Sequence, residues 1–210
     1  MIHEILPVGL LQCNCSVYGD EQTREAIVVD PGDNVDRILR VLSRHELRVT
    51  AIVITHAHID HIAGARKLKE ATGAPIHVNA ADYEQIAQLE WQAAWLGVPA
   101  PGPVEVDAEM NDGDRLRVGA AGIVVLHTPG HTRGSCCLWA PSDNLLIAGD
   151  TLFQGSVGRT DLPGGDPRRI LISIRDKLLP LPDETRVIPG HGPQTTIGRE
   201  RESNPFLRGL

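Results

Sequence analysis

No stretch of this chain stays apolar for the roughly 18 residues that a membrane-crossing helix requires. The opening residues, Met1-Ile2-His3-Glu4-Ile5, lack the basic start and apolar core of a secretion signal. Basic residues are never clustered. Arg168-Arg169 is only a pair, and the formal charge is −7. That balance argues against a nucleic-acid partner, whose binding leans on grouped Lys and Arg. The four cysteines, Cys13, Cys15, Cys136 and Cys137, contain no C-x-x-C spacing and read as small core residues in a reducing cytoplasm. A serine nucleophile is not signalled either, because Gly134-Ser135 and Gly155-Ser156 lack the G-x-S-x-G frame. The expectation is one cytoplasmic domain over residues 1–210, with no membrane or nucleic-acid partner.

What is present is a repeated pattern. Four short apolar runs each end at a residue able to bind a metal. Ala51-Ile52-Val53-Ile54 leads into Thr55-His56-Ala57-His58-Ile59-Asp60-His61, and Ile123-Val124-Val125-Leu126 into His127-Thr128-Pro129-Gly130-His131. Leu145-Leu146-Ile147-Ala148 leads into Gly149-Asp150, and Arg186-Val187-Ile188-Pro189 into Gly190-His191. Runs of this length, rich in Val and Ile and closed by Gly or Pro, read as buried strands. In extended chain, residues two apart point the same way, so His56 and His58 can grip one ion together. If the strand ends meet, five His and two Asp converge, a donor set suited to two divalent metals.

A coarse pass gives strands near residues 2–8, 14–18 and 26–30, and then an Asp30-Pro31-Gly32-Asp33 turn that offers a helix cap. Val35, Ile38, Leu39 and Leu42 follow helical spacing. A helix over 62–72 ends at Gly73. A strand near 75–78 precedes a helix over 80–90, a loop over 97–113 and several short strands from Arg115 to Ala148. Asp166 caps a late helix that has Pro167 in its first turn and Leu171, Ile174 and Leu178 on one face. The pattern establishes mixed α/β. His3, His45 and His77 read as surface or satisfied core residues, and His127 at most as a group that orients a loop or a ligand. Trp91 and Trp95, at helical spacing, are candidates for a substrate groove or a subunit contact, with packing beneath the 97–113 loop the favoured expectation.

The ligand segments, together with Thr128-Pro129-Gly130-His131-Thr132 and Pro189-Gly190-His191-Gly192, resemble the metallo-β-lactamase superfamily. The run from Asp150 through Gly155-Ser156-Val157-Gly158-Arg159-Thr160-Asp161 and the ending Ser203-Asn204-Pro205-Phe206-Leu207-Arg208 are similar to its glyoxalase II branch, the hydroxyacylglutathione hydrolases, in short bacterial form. The resemblance implies a four-layer αβ/βα sandwich. It implies that His56, His58 and His131 hold one ion, that Asp60, His61 and His191 hold a second, and that Asp150 bridges them. The cofactors implied are two divalent ions, with zinc first and iron or manganese as alternatives. The implied reaction is hydrolysis of a glutathione-derived thioester, S-D-lactoylglutathione, by a hydroxide shared between the ions, with Asp60 and Asp150 in catalytic places.

Arg159 takes the place of a glutathione-binding cation, or else pins its own loop through Asp161 or Asp166. Longer relatives have a tyrosine near the position of Asp161 and continue past the position of Leu210, so the expectation is either looser glutathione recognition or a different thioester substrate. Persulfide dioxygenases, with a single iron, share the ligand set and stand as the alternative; lactonases are a further one. A binding scaffold without turnover also remains open. Subunit number leaves no mark in the sequence.

Overall fold

Side-chain alternation along the strands builds the molecule. The computed structural model describes residues 1–210. Its first half runs β1 (Ile2–Val8), β2 (Cys13–Gly19), β3 (Glu25–Val29), α1 (Val35–Arg44), β4 (Arg48–Val53), α2 (Ile59–Ile62), α3 (Ala65–Thr72), β5 (Ile76–Val78), α4 (Tyr83–Ala87), α5 (Leu89–Leu96) and β6 (Ala108–Glu109). Its second half runs β7 (Arg115–Val118), β8 (Ala121–His127), β9 (Cys136–Ala140), β10 (Leu145–Gly149), β11 (Leu152–Phe153), β12 (Ser156–Val157), α6 (Pro167–Ser173), β13 (Arg186–Pro189), β14 (Thr195–Thr196) and α7 (Ile197–Ser203). One sheet has the order β1-β2-β3-β4-β5-β6 and the other β14-β13-β10-β9-β8-β7.

Three apolar clusters define four layers. In β3, Ala26 and Val28 face helices α1 to α3 and α5, while Ile27 and Val29 face the second sheet. In β10, Leu145 and Ile147 face the first sheet, while Leu146 and Ala148 pack on Ile170, Ile174 and Leu178. Strands buried on both faces read as unbroken apolar runs, which is how they stand in the sequence. Adjacent Cys136 and Cys137 point to opposite faces, Cys136 between the sheets and Cys137 toward the outer helices. All four cysteines are buried and free.

Pairing direction decides where the site lies. Strands β10 and β13 are parallel, and β9 is antiparallel to both β8 and β10, so β8, β10 and β13 end at the same edge of their sheet. Strand β4 runs parallel to β3 and ends at the neighbouring edge of the other sheet.

Several elements depart from the sequence reading. The helix expected over 62–72 starts earlier as the single turn α2, breaks, and resumes as α3. The break lies at Gly64, where a Cβ would stand 2.2 Å from the Pro31 carbonyl oxygen. The helix expected over 80–90 is a short 3₁₀ turn, then α4, then α5 reaching Leu96. At the break between α4 and α5, the Gln85 carbonyl accepts from the Gln92 side-chain amide at 3.1 Å. The expected 97–113 loop contains β6. The Asp30-Pro31-Gly32-Asp33 turn supplies no cap to α1, whose N-cap is Asn34 with no side-chain bond. Asp166 caps α6 as expected, accepting from the Arg168 and Arg169 amides, with Ile170 rather than Leu171 fully buried. No helix is long and apolar enough to cross a membrane.

Candidate metal centre

The structure brings all seven candidate ligands to the strand ends. His131 Nε2 lies 3.2 Å from His56 Nε2 and 2.9 Å from His58 Nδ1. On the other side, His191 Nε2 lies 3.3 Å from His61 Nε2 and 3.0 Å from Asp60 Oδ2. Asp150 stands between these groups, with Oδ1 3.5 Å from His61 Nε2 and Oδ2 3.6 Å from His131 Nε2. Gly190 makes room for it, since a Cβ there would fall 2.1 Å from Asp150 Oδ1. Gly158 does the same behind it, where a Cβ would lie 1.9 Å from the Asp150 carbonyl oxygen.

The rings are held by their outward nitrogens. His131 Nδ1 donates to the Arg159 carbonyl at 2.8 Å, and His191 Nδ1 to the Leu11 carbonyl at 2.9 Å. His61 Nδ1 donates to Asp30 Oδ2 at 2.9 Å. The Thr55 hydroxyl donates to the same oxygen at 2.7 Å, so it accepts from His56 Nδ1 at 3.2 Å. In this network, four of the five rings spend their N–H groups outward and turn a bare nitrogen inward. Asp30 thus orients one imidazole in each set. It is buried in left-handed backbone, φ 52°, a strain typical of functional positions.

Sequence reasoning missed Asp30. The signal was there, since Ala26-Ile27-Val28-Val29 also runs into an acid, but Pro31-Gly32 made it read as a turn. Also unforeseen was Asp82, buried beneath the ligand loops, which accepts from the Ala57 and Gly134 amides and from the Thr132 hydroxyl. Cys13 is a core residue as expected, yet its Sγ also lies 3.5 Å from His61 Nδ1. Burial pushes that thiol up to about 11, so it stays protonated at neutral pH and offers no thiolate.

The donor set fits divalent cations. Burial, aided by the neighbouring imidazoles, keeps His56 and His58 well below the usual histidine range, so both present lone pairs. Burial opposes the Asp60 charge, but His61, His191 and His58 outweigh it and hold the carboxylate ionised. Asp150 Oδ1 is buried with no hydrogen-bond partner. Bare nitrogens about 3 Å apart would repel one another around nothing. They match the edges of a tetrahedron, about 3.3 Å for metal–nitrogen distances near 2.0–2.1 Å.

A cavity of about 430 Å³ opens over these groups, lined among others by Leu11, Trp91, Trp95, Leu96, Leu162 and Arg159. Trp91 and Trp95 correct the sequence expectation. They are not packed beneath the 97–113 loop but stand 55% and 58% exposed on the cavity wall, with parallel rings 6.2 Å apart. The Arg159 guanidinium lines the cavity and grips Asp161 through two bonds, 2.8 and 2.7 Å, while Asp166 is engaged in capping α6. That grip holds the Asp161 carboxyl down at about 2. His127 bonds to the Arg133 carbonyl and the Asp112 carboxylate and so braces its own loop. His45 pairs with Glu4, and His3 with Ser16, both away from the centre.

The family model of the metallo-beta-lactamase superfamily matches residues 8–191. A curated relative from Haemophilus influenzae, "Hydroxyacylglutathione hydrolase GloC", is 38% identical over 206 residues, spanning 97% of each chain. The crystal structure of the BLEG-1 B3 metallo-beta-lactamase superposes with a TM-score of 0.92 at 36% identity, covering 99% of this chain and 100% of that one. TTHA1623, crystallised in a di-iron-bound form, superposes at 0.89 with 38% identity, covering 97% and 100%.

Proposed function

The chain belongs to the metallo-beta-lactamase superfamily, and from that membership we propose that it is a dinuclear metallohydrolase of thioesters, with S-D-lactoylglutathione as the first substrate to test. The observation that carries this reading is the place of Asp150, one oxygen toward His61 and the other toward His131. In this reading His56, His58 and His131 would hold one ion, Asp60, His61 and His191 a second, and Asp150 would serve both. Two such ions, when bound, would supply a nucleophilic hydroxide at neutral pH and a Lewis acid for the carbonyl oxygen.

The residues of the chain do the rest. Asp30, Leu11 and Arg159 fix the rings from behind, so no donor has to reorganise as charge develops. Asp60 and Asp150 add anionic donors that balance the cations. Water adds its oxygen to the carbonyl carbon and the carbon–sulfur bond breaks, giving an acid and a thiol. A thiolate leaves without much need of a proton donor, and the cavity lining offers no Lys, Tyr or Cys to supply one. Arg159, the one Lys or Arg on the cavity wall, keeps N–H groups beyond its pairing with Asp161 and can meet a carboxylate of the thiol half.

The similarity to GloC supports a glutathione thioester, and the likeness to BLEG-1 makes a β-lactam the second compound to try. Single-iron persulfide oxidation would leave the set Asp60, His61 and His191 without a metal to hold. The test is anaerobic purification, loading with zinc or iron, and parallel assays on S-D-lactoylglutathione and glutathione persulfide. Thioester cleavage without oxygen supports the reading. Oxygen uptake on the persulfide, with one iron per chain and no thioester cleavage, sinks it.

A further inference from the structure

The chain contains only three tryptophans, and two of them stand on the cavity wall. Trp91 and Trp95 lie four residues apart on α5, so they project from one face, and their rings are parallel within 2°. Each exposes more than half its surface although α5 also offers buried positions, taken by Leu89, Gln92 and Ala93. Leu11, 44% exposed, and Leu96 extend the apolar wall within the same cavity. A contiguous exposed apolar face beside a polar centre marks a binding surface rather than leftover core.

The wall is also fixed to the centre. Between the two tryptophans, Gln92 turns inward and accepts from the Ile59 amide at 2.8 Å, directly after the ligand His58. Its amide nitrogen donates to the Gln85 carbonyl at 3.1 Å. The indoles are therefore held relative to the ligand loop rather than hanging on a free helix.

We infer that Trp91 and Trp95 determine specificity by seating a bulky apolar acyl group, aryl or branched alkyl, of the thioester. The inference rests on the thioester reading and goes beyond it, because a lactoyl group is too small and polar to cover two indole faces. The arms of the substrate can be told apart by charge. The carboxylate-bearing thiol half belongs with Arg159, whose own carbonyl anchors His131. The acyl half is left to the wall of Trp91, Trp95, Leu96 and Leu11, whose Leu11 carbonyl anchors His191. With Asp161 neutralising much of the Arg159 charge, discrimination falls mainly on the apolar arm.

Binding tests this without turnover. Isothermal calorimetry on the full chain with S-benzylglutathione and S-methylglutathione, two thioethers that cannot be hydrolysed, should show the benzyl compound at least about tenfold tighter. The double variant Trp91→Ala/Trp95→Ala should bring that ratio below about threefold and leave the methyl compound unchanged, while Trp91→Phe/Trp95→Phe, which keeps flat apolar faces, should retain most of the preference. A wild-type ratio near one, or a preference surviving the double alanine variant, overturns the inference. So does a dimer in sedimentation that becomes a monomer in the double variant with the preference intact, since the wall would then be a subunit contact. Failure of the thioester reading shows separately, as metal-loaded protein that cleaves neither lactoyl- nor aryl-acylglutathione.

Discussion

Asp150 is the residue on which the two halves of the centre meet, and it reaches both because Gly190 and Gly158 leave room around it. Replacing Asp150 with Ala would remove the proposed shared donor. The expected result is loss of the second ion in elemental analysis, with turnover falling by at least about a hundredfold. Gly190→Ala should act on the same atom from the other side, because the added Cβ would stand 2.1 Å from Oδ1; lowered metal content in a folded protein is the readout. Asp30 touches no proposed ion, yet it orients His61 directly and His56 through Thr55. Asp30→Ala should weaken metal binding by about 10- to 100-fold, measured by competition with a chromophoric chelator. The candidate ligands were legible because each follows an apolar run and a strand end fixes its direction. Asp30 was not, because its carboxylate is spent on residues 25 and 31 positions away in the chain, which no local pattern reports.

Elements carry the ligands to their places, and their joints show where local pattern fails. The strands of the second sheet were readable from their apolar runs. The breaks at Gly64 and Gln88 were not, since they arise from contacts with Pro31 and from the Gln92 amide. Strand β2 supplies another joint. The Asn14 side chain donates to the Pro189 and Gly192 carbonyls, and its backbone amide to the Gly190 carbonyl, so it clamps the loop that presents His191. The Asn-Pro-Phe ending has a similar task. Asn204 donates to the Ser156 carbonyl and to Glu200, which accepts from the Gly155 amide and steadies the hairpin before Arg159.

At the far end of β1, burial and nearby Arg186 push His3 down from 6.5 to about 4. The folded chain keeps this ring neutral where the unfolded chain takes up a proton. Stability present above pH 6.5 is therefore lost progressively as pH falls toward about 4, by an amount on the order of 3 kcal/mol at most. His3→Gln should flatten that part of the acid limb in denaturant titrations; an unchanged slope between those pH values would refute the assignment.

At the scale of the whole molecule, the two sheets meet at a face of interlocked apolar residues and again at the centre, where candidate ligands from both halves lie side by side. The four layers could be anticipated only through resemblance, because alternation shows that a strand has two buried faces but not which partners cover them. The three clusters supply that answer. Ions held between the halves, as proposed, would bind the folded chain and not the unfolded one. Removing them with a chelator should lower the melting temperature, and zinc or iron should restore it in a concentration-dependent way.

The central claim is most directly tested by counting metal in protein purified without oxygen and supplied with zinc or iron. Two divalent ions per chain, falling to one or none in Asp150→Ala, is the outcome this account predicts. A saturated wild-type protein that holds a single ion, and holds it equally well without Asp150, would contradict it.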